Sequence, residues 1–133
     1  MSSMPGVSTP TPRVLLVDDE LGILEVLCVA LELRGFEVSP YLDGPAALEA
    51  LAQMSTPPDL VILDVVMPGL SGQAVFRAMR ARWDVPVLFH SGYRGIDTLA
   101  AELREPRTGF LQKPWTLQQL NAAVDALLKP IGE

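Results

Sequence analysis

Hydrophobic positions fall in short blocks, several of which end abruptly in an acid. The plainest is Asp59-Leu60-Val61-Ile62-Leu63-Asp64, an almost unbroken apolar run closed by a carboxylate and followed by Val65-Val66-Met67-Pro68-Gly69. A strand buried on both faces has no polar side to alternate with, so this run predicts a central strand of a parallel sheet covered by helices. Arg13-Val14-Leu15-Leu16-Val17 repeats the arrangement, ending in Asp18-Asp19-Glu20. Ligands of such sheets bind beyond the carboxyl ends of the strands. Asp64 is therefore placed where chemistry is expected, although one strand-end acid alone is as easily a turn cap.

The rest of the chain alternates in the same way. Residues 21–34 predict a helix stopped by Gly35, with Leu24, Leu27 and Leu31 inward and Val29 stranded beside Glu25 and Glu32. Residues 36–41 predict a second strand, and residues 45–54 a helix with proline in its first turn. A helix over about 72–82 buries Val75, Phe76 and Met79, and Trp83 packs at its end. A fourth strand over 85–89 leads into His90-Ser91-Gly92. A short helix over about 96–104 and a strand over 109–112 precede Lys113-Pro114. The last helix, residues 116–128, carries Leu117, Leu120, Val124, Leu127 and Leu128 on one face. Five strands alternating with five helices predict a doubly wound α/β domain with right-handed crossovers.

Composition narrows the class without changing this picture. The 133 residues are 49% hydrophobic and 20% charged with a net charge of -6, which suits one soluble globular domain. Scattered basic residues in an acidic chain argue against direct nucleic-acid binding. Residues 1–12 hold no apolar block and read as a flexible tail, neither signal peptide nor membrane span. Residues 13–129 form the expected domain, and 130–133 a second tail. The lone Cys28 excludes an internal disulfide, fits a reducing cytoplasm and is expected as a small buried group.

The strand tips carry Asp18, Asp19, Asp64, Ser91 and Lys113 on one edge. Carboxylates ~4 Å apart repel by about 4 kcal/mol per pair at an effective dielectric of about 20, which a divalent cation would relieve. Hard oxygen donors without a His or Cys partner point to Mg²⁺. Lys113 could hold an anion beside the metal, and Ser91 could donate to it. A carboxylate nucleophile, a metal, a lysine and a hydroxyl make a phosphoryl-transfer site.

With these residues placed, the chain from Arg13 to Leu128 resembles a receiver domain of two-component response regulators, of the chemotaxis-regulator type. The motifs that carry the resemblance are Val-Asp-Asp-Glu, Leu-Asp-Val-Val-Met-Pro-Gly-Leu-Ser-Gly, His-Ser-Gly-Tyr and Phe-Leu-Gln-Lys-Pro-Trp, in that order and spacing. The resemblance implies a flavodoxin-like sheet in the order 2-1-3-4-5 and Asp64 as acceptor of a phosphoryl group from a phosphohistidine. It implies Mg²⁺ held by Asp19, Asp64 and the Val66 carbonyl, with Asp18 acting largely through water. Ser91 and Lys113 would bind the phosphoryl oxygens, Ser91 and Phe110 would form the switch, and the Lys113-Pro114 bond would be cis. Val66 and Tyr93 would flank the path of the water that removes the phosphoryl group. The implied partners are a sensor histidine kinase or histidine phosphotransfer protein, a downstream output protein or domain, and a second copy on phosphorylation. Such a protein is a cytoplasmic signalling phosphoacceptor that catalyses only its own phosphorylation and dephosphorylation.

Some residues depart from the family's commonest pattern. Ser91 stands where Thr is frequent and loses the methyl that restricts its rotamer, and Phe110 lacks a hydroxyl. His90 is expected as a strand-end side chain with local hydrogen bonds, facing away from the Ser91 side; Trp115 is expected to pack on the last helix. Two other classes share parts of this site. A Mg²⁺-dependent phosphatase with an aspartyl nucleophile would show Asp-x-Asp at one strand end, whereas Val65 and Val66 follow Asp64. An unphosphorylated adaptor would lack an acid or the lysine. No output domain follows residue 128 in this sequence, which leaves a free-standing regulator, a relay module and a receiver within a longer protein all open.

Overall fold

The computed structural model describes residues 11–67, 69–92 and 107–128. Five parallel strands, β1 (Arg13–Val17), β2 (Glu37–Tyr41), β3 (Leu60–Asp64), β4 (Val87–Ser91) and β5 (Thr108–Gln112), form one sheet in the order β2-β1-β3-β4-β5. Four helices accompany them among the described residues: α1 (Leu21–Glu32), α2 (Gly44–Gln53), α3 (Gly72–Arg80) and α4 (Leu117–Leu128). The helix expected over 96–104 lies outside the described residues.

Every residue of β3 and β4 is buried, as their unbroken apolar runs require, because helices cover both faces. On one face Leu15, Val17, Leu63 and Phe89 pack against Ala47 and Leu51 of α2 and Val75, Phe76 and Met79 of α3. On the other, Leu16, Ile62, Leu88 and Leu111 pack against Leu24, Leu27 and Leu31 of α1 and Leu120 and Val124 of α4. β2 is an outer strand and contains Pro40.

The structure corrects several sequence expectations. β4 starts after Pro86 rather than at Val85, since proline has no N–H for the ladder. It also continues through His90 and Ser91, which pair with Asp64 and Gln112. Leu117 is 56% exposed rather than part of the buried face of α4, because it sits in the first turn, ahead of the buried Leu120 and Val124. Cys28 is only partly buried, at the rim of an apolar groove between α1 and β2. Trp115 and Trp83 pack against opposite cores, as expected.

The β3 tip is fixed from outside the sheet. Gly69 turns the loop with φ +78°, a region that favours glycine. Ser71 caps α3, its Oγ accepting from the Ala74 N–H at 3.2 Å. The Gly72 N–H then donates to the Val65 carbonyl at 3.1 Å. A Cβ on Gly72 would lie 2.1 Å from the Asp64 carbonyl oxygen, so only glycine lets the helix start this close to the strand.

Candidate functional site

β1, β3 and β5 deliver Asp18, Asp64 and Lys113 to one end of the sheet. The carboxylates of Asp18, Asp19 and Asp64 each place an oxygen within 4.8 Å of the others. Asp18 and Asp64 are buried, while Asp19 is exposed at the mouth. Asp18 is held on both oxygens: Oδ1 accepts from the Glu20 N–H at 2.8 Å and Oδ2 from Lys113 Nζ at 2.9 Å. Lys113 Nζ also lies 3.5 Å from Asp64 Oδ2 and 3.5 Å from Glu20 Oε1. The Val66 N–H donates to Asp64 Oδ1 at 3.2 Å, and the Val66 side chain is 55% exposed. Ser91 is buried, and its carbonyl accepts from the Lys113 N–H at 2.8 Å, which ties the tips of β4 and β5 together. A cavity of about 360 Å³ opens here, lined by Asp19, Glu20, Asp64, Val66, Ser91, Gly92 and Lys113.

Electrostatics set these groups against one another. Burial pushes the Asp64 carboxyl up to about 6; the Lys113 ammonium and the Val66 N–H pull it back, while Asp18 and Asp19 push it further up. Burial works to lower Lys113, but its hydrogen bond to Asp18 and the charges of Asp64, Asp18 and Glu20 outweigh this and leave it raised. The site thus gathers more negative charge than one lysine neutralises. Hard carboxylate oxygens in a cluster of this size fit Mg²⁺, which takes few protein carboxylates and keeps several waters.

Phe110 is half-buried on the face opposite the acids, its ring stacked on Phe89 with centroids 5.3 Å apart, so it lines the α2/α3 core and not the pocket. Tyr93 lies outside the described residues. The Lys113-Pro114 peptide is cis.

His90 corrects the sequence reading. Its side chain is 1% exposed, and neither ring nitrogen has a hydrogen-bond partner among the described residues, so the expected local bonds are not made. Its Nε2 instead lies 3.3 Å from Asp18 Oδ2. Paired residues of parallel neighbours point to the same face, and His90 pairs with Asp64. The signal was present in the spacing: His90 follows Leu88 by two, as Asp64 follows Ile62 and Asp18 follows Leu16. Burial, and then the Lys113 ammonium, lower the imidazole to about 3, so it is neutral at physiological pH.

Comparison with known proteins gives a consistent answer. The response regulator receiver domain family matches residues 14–125. The transcriptional regulatory protein PrrA from Mycobacterium leprae is 43% identical over 96% of this chain and 53% of its own length. The transcriptional activator protein PfeR from Pseudomonas aeruginosa is 34% identical over 94% of this chain and 40% of its own length. The chain thus spans about half the length of the curated relatives it matches. Among solved structures, a response regulator receiver domain protein from Clostridium thermocellum superposes with a TM-score of 0.79 at 28% identity, covering 88% of this chain and 94% of its own. The chemotaxis protein CheY4 from Vibrio cholerae gives 0.78 at 26% identity, covering 90% and 100%. No helix among the described residues is long and apolar enough to cross a membrane.

Proposed function

The chain belongs to the response regulator receiver domain family of two-component signalling, and from that premise we propose that Asp64 accepts a phosphoryl group from the phosphohistidine of a partner protein. The observation that carries this is the convergence of three carboxylates and Lys113 at the carboxyl ends of β1, β3 and β5. An oxygen of Asp64 attacks phosphorus, the phosphorus–nitrogen bond to the donor imidazole breaks, and an acyl phosphate remains on Asp64. Asp19, Asp64 and the Val66 carbonyl would hold Mg²⁺, with Asp18 acting through water, and the bound ion would supply neutralisation of the phosphoryl charge. The Lys113 ammonium and the Ser91 hydroxyl bind the phosphoryl oxygens, and Ser91 and Phe110 pass the change to the signalling face.

The donor is a sensor histidine kinase or a histidine phosphotransfer protein. The downstream partner is an output domain or protein, and the likeness to PrrA and PfeR, both transcriptional regulators, favours an output in transcription. The receiver turns over no other substrate.

Val66 and Tyr93 set the lifetime of the phosphorylated state. The Val66 side chain offers an attacking water no acceptor, so Val66→Asn should accelerate hydrolysis by roughly 3- to 30-fold, less than a fully positioned general base is worth. Phosphate release at equal rates from both proteins would remove Val66 from this role.

Intact mass after acetyl phosphate treatment in Mg²⁺ tests the reading itself. Wild type should gain one phosphoryl group and Asp64→Asn none, while Lys113→Ala should be phosphorylated but show no conformational response. An adduct persisting in Asp64→Asn would place the nucleophile elsewhere.

A further inference from the structure

His90 takes no part in the chemistry just described, yet it stands against it. A buried imidazole with neither nitrogen bonded among the described residues is a standing cost, which a leucine at the same place would not carry. What lies beside it is Asp18 Oδ2 at 3.3 Å, the same oxygen that accepts from Lys113 at 2.9 Å. In the geometry described, that oxygen accepts from Lys113, and the His90 ring stands within reach of it without donating.

That division of partners cannot survive phosphorylation of Asp64. Lys113 Nζ is closer to Asp18 than to Asp64, at 2.9 against 3.5 Å, and must move outward to reach phosphoryl oxygens carried on Asp64. Asp18 is fully buried and its Oδ1 is already bonded to the Glu20 N–H, so Oδ2 would be left to a water of the metal and to the protein donor beside it. The neighbouring protein donor already in reach is the His90 ring, whose Nε2 lies 3.3 Å away.

The geometry points to His90 as a positioning residue that takes over Asp18 Oδ2, through Nε2–H, when Lys113 leaves it for the phosphoryl group. The ring N–H compensates the oxygen from inside the α1/α4 face, where His90 is already buried. Asp18 thereby keeps one orientation in both states. This inference rests on the phosphoacceptor reading above and adds a role that reading does not contain.

The chain's single histidine makes the test direct. Nitrogen-15 spectra of the imidazole should show an Nε2–H proton that moves downfield when wild type is phosphorylated with acetyl phosphate and Mg²⁺. His90→Leu should slow phosphoryl gain about tenfold, the rate equivalent of one hydrogen bond to a charged group. His90→Gln, which restores an amide donor at similar reach, should return to within about threefold of wild type, a rescue that simple core packing would not give. An imidazole signal unmoved in a phosphorylated wild type overturns the inference, and so do equal rates for the Leu and Gln variants. Both outcomes leave the phosphoacceptor reading standing. A wild type that gains no phosphoryl group overturns both. Should His90→Leu fail to fold, the wild-type spectrum still decides.

Discussion

On the α1/α4 face of the sheet, Leu16, Ile62, Leu88 and Leu111 belong to the dry core, and two residues after each stand Asp18, Asp64, His90 and Lys113. On the α2/α3 face, Leu63 and Phe89 are followed two residues later by Val65 and Ser91, and the core closes with an aromatic set of Phe76, Phe89 and Phe110. Two residues are one strand repeat, about 6.6 Å. One face therefore passes from hydrocarbon to a buried charged pocket within a single repeat, while the other gives the pocket only the exposed Asp19 and the uncharged Ser91 and stays apolar at Val65. This closeness is why Asp64 and His90 are perturbed by burial before any neighbouring charge. The site's reactivity is set by how little water the adjoining core admits.

If the two faces are distinct in this way, changes on the apolar one should cost stability without regard to metal. Phe89→Ala removes a fully buried ring that meets Phe76 edge-on at 5.1 Å, and should cost about 3–5 kcal/mol. Urea unfolding should give the same loss with and without Mg²⁺. A loss that depends on Mg²⁺ would show the faces to be coupled. On the charged face the sign reverses, because relief of repulsion should add stability. Mg²⁺ at about 100 times its dissociation constant should contribute about 2.7 kcal/mol. A melting temperature unmoved by Mg²⁺, or moved as much in Asp19→Asn, would contradict the metal assignment.

Gly72 is where the two faces meet, since α3 packs on one side and abuts the backbone of Asp64. Gly72→Ala should cost about 2 kcal/mol through a clash with backbone that cannot give way. It should also slow phosphorylation, because the acid itself is displaced. Unchanged phosphorylation kinetics would separate the helix from the site.

The remaining effects are in pH, and the two buried groups act in opposite directions. Asp64 binds its proton more tightly in the folded state, with a pKa of about 6 against 3.8, so folding loses stability as pH rises from about 4 to 6. His90 binds its proton more weakly, about 3 against 6.5, so its contribution is complete above pH 6.5 and is lost as pH falls toward 3. Each slope approaches 1.4 kcal/mol per pH unit, at about the limit for one proton. Relative to wild type, Asp64→Asn should be favoured above pH 6 and lose that advantage by pH 4, whereas His90→Leu should gain steadily below pH 6.5. Parallel stability curves for wild type and both variants would refute the opposition.

The sheet and most of the pocket were legible because both rest on short-range pattern. An apolar run ending in acid states a buried strand and what it carries to its tip, and Asp18, Asp64 and Lys113 followed from that alone. The capping of α3 by Ser71 is equally local, but it was not read from the sequence. What escaped the sequence depended on register. His90 was placed correctly opposite to Ser91, but the same alternation, taken across the ladder to Asp64, would have put it beside the acids. Gly72 gave no sign of its contact with Asp64, since a glycine at a helix start has many explanations and only the approach of two backbones singles one out. Leu117 failed for a related reason: helical period names a face, but does not say where along the helix the neighbouring core begins.

Pro40 has a further consequence, which concerns the behaviour of the molecule in concentrated solution. The N–H of Glu37 bonds inward to Pro12, and by alternation those of Ser39 and Tyr41 also face β1, which leaves positions 38 and 40 facing the open side of β2. Proline at 40 therefore removes no bond from the sheet and deletes one of the few outward donors that a foreign strand would need. The edge is blunted against templated growth at no cost to the fold. Restoring a donor there with a β-branched residue would leave the monomer intact and make its edge adhesive.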